Sequence, residues 1–178
     1  MFGRDAQATA GTLIKTGAGA AGFDYTKVCM NGTLNCAGAA DTDSEPTANR
    51  WACTKDNRTN LTWSLQAGND TWDNATSAAN ALVAPNHFSR ANAAARCGFS
   101  TGWRLPTRRE LLSIVHHGIF NPSIDIGNFP GTSASAYWSG ATYAPNTAVA
   151  WYVNFYGGFT SAGGGDSSYA VRLVRGGQ

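Results

Sequence analysis

The stretch Val149-Ala150-Trp151-Tyr152-Val153-Asn154-Phe155-Tyr156 alternates strictly along its length. Successive side chains of a strand point to opposite faces. Val149, Trp151, Val153 and Phe155 therefore share one face, and Ala150, Tyr152, Asn154 and Tyr156 the other. The first face is the predicted core. The second carries two tyrosines and an asparagine, residue types that suit an adaptable, solvent-facing recognition surface. Downstream, Val171, Leu173 and Val174 mark a closing strand, and the intervening Gly/Ser-rich stretch reads as loop, its Gly163, Gly164 and Gly165 as flexibility.

Working upstream, Thr107 stands three residues before Glu110, a capping box, with Leu111, Leu112 and Val115 at helical spacing and Gly118 as the stop. A first helix is predicted from about His87 to Arg96, capped by Asn86, with Phe88 and the alanines inward and Gly98 just past its end. Trp51 to Lys55 and Leu61 to Leu65 bracket the polar stretch Asp56 to Asn60, which reads as a hairpin. Residues 1–50 are Gly/Ala/Asn/Asp-rich and are expected to hold little regular structure, packed on or leading into a domain over 51–178. Two helices ahead of a sheet-rich end suggest an α+β class.

The 178 residues fit one domain. Charged residues are 13% of the chain, about half the roughly 25% typical of soluble domains. The formal charge is +2 and the basic residues are scattered, so nucleic acid is not an expected partner. No apolar run is long enough to span a membrane, and Met1 to Gly22 has no apolar segment followed by a cleavage site. A signal sequence, if there was one, is expected to have been removed. Cys29, Cys36, Cys53 and Cys97 lack CxxC spacing and nearby His pairs, which favours two disulfides and an oxidising compartment over zinc or four reduced thiols. Three pairings are possible; Cys29 with Cys36 and Cys53 with Cys97 is the favoured one.

Several ordered blocks carry a family resemblance. The run Trp103-Arg104-Leu105-Pro106-Thr107-Arg108-Arg109-Glu110-Leu111-Leu112 is followed by Ile124, Asp125, Phe129 and Pro130, then by Tyr137, Trp138 and Ser139. Ala150, Trp151, Phe155 and Gly158 continue the pattern, and Val171-Arg172-Leu173-Val174-Arg175 closes it. With Cys53, Asp56, Asn57, Leu61, Thr62 and Trp63, these blocks resemble the Lcl C-terminal domain family over about Trp51 to Arg175. The resemblance implies a C-type lectin-like fold: α+β, two helices, a short-stranded antiparallel sheet and a loop-rich C-terminal binding region.

Some members of that family are variable proteins of diversity-generating retroelements, in which mutagenic reverse transcription randomises adenines, typically in Asn codons. Such codons cannot become Lys, Glu, Gln, Met or Trp. From Leu111 to Gly177 there is no Lys, Glu, Gln or Met, and Trp138 and Trp151 sit at scaffold positions of the family. The resemblance thus implies a variable region over 138–170. Its candidate ligand-binding positions are Tyr143, Ala144, Asn146, Thr147, Tyr152, Asn154, Tyr156, Phe159, Ser161, Gly163, Gly164, Asp166, Ser168 and Tyr169. Trp138, Trp151 and Phe155 are the expected core aromatics beneath them.

Other chemistries are poorly supported by the sequence. His116 and His117 are adjacent, and adjacent helical residues do not face each other. Pro145-Asn146 is part of a sugar-binding pattern, but Ala144 stands where a carboxylate or amide would be expected. Asp41, Asp43 and Glu45 read as a solvated acidic loop. All cysteines precede Gly98, so the C-terminal region lacks a thiol nucleophile. Arg172 and Arg175 read as structural hydrogen-bond donors rather than ligand contacts. The five Asn-x-Thr sequons, at Asn31, Asn57, Asn60, Asn69 and Asn74, read as chance in a Thr/Asn-rich chain. The expectation is a non-enzymatic protein without cofactor or metal, secreted, periplasmic or on a cell surface. Its expected partner is a protein or glycan on another cell or virion. A fixed-sequence adhesin or glycan-binding domain is the alternative.

Overall fold

The computed structural model describes residues 22–42, 47–76 and 87–176. A single sheet organises them. Its strands are β1 (Tyr25–Cys29), β2 (Trp51–Asp56), β3 (Leu61–Thr71), β4 (Ala136–Tyr143), β5 (Asn146–Asn154), β6 (Phe159–Gly164) and β7 (Ser168–Gly176). They lie side by side in the order β1-β2-β3-β7-β4-β5-β6. Neighbours are antiparallel except β4 and β7, which are parallel through Tyr137 and Ala170. Among the described residues the helices are short: α1 (Trp72–Thr76), α2 (His87–Ala93), α3 (Arg108–Ser113) and a 3-10 turn at Arg96–Gly98.

This β-rich, seven-stranded mixed sheet overturns the expected α+β, two-helix C-type lectin-like fold. The reasons are local. The first helix stops at Ala93 because Ala95 and Cys97 take left-handed φ values of 45° and 55°, turning the chain so that Cys97 meets Cys53. The second begins as predicted, with Thr107 Oγ1 accepting from the Glu110 amide and Glu110 accepting from the Thr107 amide. It ends at Ser113 rather than Gly118, where Ile114 leaves helical geometry. The sheet is also not uniformly short-stranded, since β3 runs for 11 residues across a bulge between Trp63 and Ala67.

The hairpin of β2 and β3 lies where the sequence places it. The N-terminal segment contributes more than expected: Tyr25 to Cys29 pair with β2 as an edge strand. The signal was the aromatic and β-branched run Tyr25-Thr26-Lys27-Val28, obscured by the polar composition around it. Asn86 lies outside the described residues, as do Asp43 and Glu45 of the acidic loop. Asp41 is described, and pairs with Arg50 at 3.4 Å.

β7 lies between β3 and β4, and its Ala170 to Val174 are all buried, as in a strand covered on both faces. One face carries Trp138, Ala150, Val171 and Leu173 under Ala75, Ala91, Cys97, Trp103 and Leu105. The other carries Tyr137, Val153, Ala170 and Val174 under Leu111 of α3, Ile114 and Val115 just past its end, and the loop residues Ile124 and Phe129. Arg172 lies on this second side, 1% exposed, between the Phe129 and Tyr137 rings, donating to Thr132 Oγ1 at 2.9 Å. Its burial pushes the guanidinium below its usual pKa.

Two disulfides hold the margin of the sheet: Cys29 to Cys36 and Cys53 to Cys97, the pairing favoured from the sequence. The second closes a separation of 44 residues, for which chain entropy gives about 4 kcal/mol. No helix of the described residues is long and apolar enough to cross a membrane.

Candidate functional site

β5 and the turns at its two ends carry nearly all the positions of interest. At its start, Ala144 and Pro145 turn the chain from β4, and Asn146 Oδ1 accepts from the Ala148 amide at 3.1 Å. Nearby, Gly165 donates to Ala148 O and Trp72 donates to Gly165 O, both at 2.9 Å. These bonds draw the turn between β6 and β7 and the start of α1 against the same end. Ala144, Asn146, Thr147, Asp166 and Ser168 are exposed there.

At the other end of β5, Asn154 Oδ1 accepts from the Tyr156 amide at 2.8 Å and Asn154 O from the Gly158 amide at 2.8 Å. Gly158 has φ +73°, and a Cβ there would lie 2.6 Å from Val115 Cγ1. The turn therefore needs glycine. Tyr156 and Phe159 project from it, 53% and 51% exposed. The distance between the two ends, eight residues of strand, is roughly 26 Å. The candidate positions are thus not brought to one spot.

Between the ends lies a packed group. Tyr152 and Tyr169 cross at 5.0 Å, and Trp138, fully buried, sits 4.4 Å from Tyr169 and 6.2 Å from Tyr152. Gly163 is part of this contact, since a Cβ would meet the Tyr169 ring at 3.0 Å. Tyr152 and Tyr169 are half-buried components of the scaffold. Tyr143, Asn154, Ser161 and Gly164 are also half-buried, and none of the candidate positions is fully buried.

The expected division of β5 into core and solvent faces needs correction. Ala150, assigned to the solvent face, is fully buried beside Trp138 and Leu173. Trp151, assigned to the core, is half-buried, with Tyr143 5.2 Å away and Arg108 4.3 Å over its ring. Both faces of the sheet are covered, so alternation alone does not separate inside from outside. Trp138 and Phe155 do lie in the core as expected.

The sequence reading missed Ile119 and Phe120, 43% and 74% exposed. Their loop is tied to the turn after β5 by Asn121 N to Tyr156 O at 2.9 Å and by Ser123 Oγ to Phe155 O at 2.9 Å. Ile119, Phe120, Tyr156 and Phe159 therefore mark one apolar end of the molecule. The available signal was an isolated apolar pair between Gly118 and Asn121-Pro122, turn residues that leave no helix or strand in which to bury it.

His87 Nε2 lies 3.5 Å from Asp70 Oδ2, and Asp70 is the cross-strand partner of Tyr169. Burial holds the imidazole below its ordinary pKa, against the opposing pull of Asp70. His116 Nδ1 accepts from the Gly118 amide at 3.0 Å, whereas His117 is exposed. Among the described residues, no three His, Cys, Asp or Glu side chains are grouped so as to hold a metal ion. Arg172 serves the core, and Arg175 stacks 3.8 Å over Phe99 while donating from Nε to Thr101 O.

Residues 52–175 match the sequence profile of the Lcl C-terminal domain. No curated protein matches the chain.

Proposed function

Because the chain belongs to the Lcl C-terminal domain family, we propose that it is a non-catalytic binding module, displayed outside the cytoplasm, that recognises a macromolecular target. Its recognition surface is the apolar end of β5, and the exposed side chains within 138–170 are diversified by a retroelement. The observation that carries this reading is the exposure of Phe120, Tyr156, Phe159 and Ile119 together at one end, on backbone held by buried neighbours. Large, half-exposed aromatic side chains on a rigid frame are the usual anchors of protein recognition. Large exposed apolar side chains gathered at one end of a folded domain are a common mark of an interaction site.

Two disulfides support an oxidising compartment. Diversification is supported by the absence of Lys, Glu, Gln and Met from Leu111 to Gly177. It is also supported by the partial or full exposure of every candidate position, because substitution at exposed sites away from special backbone geometry usually alters stability by less than about 0.5 kcal/mol. The packing limits what varies: Tyr152, Gly163 and Tyr169 are constrained by Trp138 and by one another.

The test is deep sequencing of the coding segment for 140–169 across a natural population of the source. The proposal expects substitutions at adenines, dense at exposed positions such as Asn146, Tyr156, Phe159 and Ser168. Trp138, Val153, Phe155 and Gly158 should stay constant. Uniform, mostly silent change would refute diversification and leave a fixed-sequence adhesin.

A further inference from the structure

Away from β5, at the far end of β7 from Tyr169, the sheet forms a cleft of about 210 Å³. The six residues from Tyr169 to Arg175 place it roughly 20 Å from the aromatic group. Lys55, Thr62 and Arg175 stand in register across β2, β3 and β7, and all line the cleft. Asn60 adds an amide, and Phe99 and Leu34 supply apolar wall, Leu34 being 52% exposed.

None of the lining residues is acidic. Among the described residues, the ion pairs are Asp41 with Arg50, Asp70 with His87 and Glu110 with Arg104, so neither Lys55 nor Arg175 is in one. Arg175 is nonetheless fixed: its guanidinium lies 3.8 Å over Phe99 and its Nε donates to Thr101 O at 2.9 Å. Its two Nη groups remain as the unused donors. A guanidinium oriented in advance suits the paired oxygens of a carboxylate, and loses little freedom on binding them. The volume falls below the roughly 300 Å³ at which pockets begin to accept drug-sized molecules.

We propose that this cleft binds a small monocarboxylate with an apolar tail. Arg175 and Lys55 meet the carboxylate, Thr62 and Asn60 offer further hydrogen bonds, and Phe99 and Leu34 cover the tail. The proposal is independent of the recognition surface at β5, and the two can fail separately.

The experiment is a titration of the full chain, isotopically labelled, followed by amide chemical shifts. The probes are N-acetyl-L-leucine, N-acetyl-L-phenylalanine and hexanoate, with N-acetyl-L-leucinamide as the uncharged counterpart. At least one acid is expected to cause saturable shifts at Thr62, Arg175 and Gly176, and the amide none. Lys55→Gln should weaken binding about tenfold and Arg175→Gln about tenfold or more, the range of a lost charge-assisted hydrogen bond. Because Arg175→Gln also removes the stack on Phe99, Lys55→Gln is the deciding variant. Equal responses to acid and amide, no saturable shift at the cleft with any of the three acids, or wild-type binding by Lys55→Gln would each overturn the proposal.

Discussion

The two ends of β5 are held by the same strand and by similar Asn-capped turns, but differ in what lies beneath them and in the side chains they expose. At the end that begins with Asn146, the shape is set by backbone and short polar bonds: Ala148 to Asn146 Oδ1, Gly165 to Ala148 and Trp72 to Gly165. The side chains there, Ala144, Thr147, Asp166 and Ser168, are small and exposed. At the end that follows Asn154, similar bonds from the Tyr156 and Gly158 amides to Asn154 are backed by what lies beneath, namely Val115 under Gly158 and Ser123 against Phe155. The exposed side chains there are large and apolar. The first end offers adaptable hydrogen bonding with little area, and the second offers area on a fixed base. Binding energy concentrates where large side chains are desolvated, so the second is the expected anchor and the first its polar surround.

Trp138, buried between the ends, should be shared by both. Its indole donates to Asp70 O at 3.0 Å and its ring packs on Tyr169. Trp138→Ala is expected to lower the unfolding free energy by about 4 kcal/mol, as for a large core aromatic. Urea denaturation checks this, and a loss below about 1 kcal/mol would mean that the ends are held independently.

A matched pair of glycine changes separates the ends themselves. Gly158→Ala must accept φ +73° and a 2.6 Å approach to Val115 Cγ1, and is expected to lose about 2 to 4 kcal/mol. At the polar end, a Cβ on Gly164 meets only the tip of the Asp166 side chain, at 2.7 Å. Gly164→Ala should therefore lose less than about 1 kcal/mol. The reverse order in thermal melts would show the polar end to be the rigid one.

Removing the exposed aromatics should leave stability almost untouched and abolish recognition. The triple variant Phe120→Ser, Tyr156→Ser, Phe159→Ser is expected to stay within about 1.5 kcal/mol of wild type, three surface changes at roughly 0.5 each. It should also bind an apolar dye such as ANS less brightly. Against a target selected on the wild-type domain, the triple variant should lose affinity more than a hundredfold, whereas Asn146→Ala with Asp166→Ala should lose less than tenfold. Equal losses would spread the interface across both ends.

Much of the frame was legible in the sequence because it rests on local chemistry. Thr107 and Glu110 cap α3 as their spacing requires, and the β2 and β3 hairpin follows from two apolar runs around a polar turn. The architecture was less legible because it rests on what covers each face. Nothing within Val149 to Tyr156 announces that a second layer, including Trp103, Leu105 and Cys97, buries Ala150. The same ignorance placed Trp151 inside, although an Arg108 stack satisfies it at the surface. Expecting long helices led to α+β, yet the left-handed residues at Ala95 and Cys97 cut the first one short. The apolar end was half legible, through Tyr156 and Phe159. Ile119 and Phe120 join them only through a loop contact with no sequence signature.

The smallest expected difference between the ends is in their response to pH. His87 and Asp70 lie on the side of Tyr169 and the polar end, and Gly68 is packed beneath the imidazole, where a Cβ would lie 2.8 Å from Cε1. Burial lowers the His87 pKa from 6.5, Asp70 opposes that shift, and Arg90 adds to it. Well above pH 6.5 the imidazole is neutral in both folded and unfolded chains, and contributes no pH dependence. As the pH falls through 6.5 the unfolded chain takes up a proton that the folded chain refuses, so stability declines until the folded pKa is passed. Wild-type Tm should therefore drop between pH 7 and pH 5 by more than that of His87→Gln, a difference that cancels the carboxylates common to both. Amide exchange should show the added opening at Asp70 and Tyr169, with Tyr156 and Phe159 unchanged. Parallel Tm curves for the two proteins would sink the assignment, and opening at Phe159 would show that the two ends are coupled through Trp138.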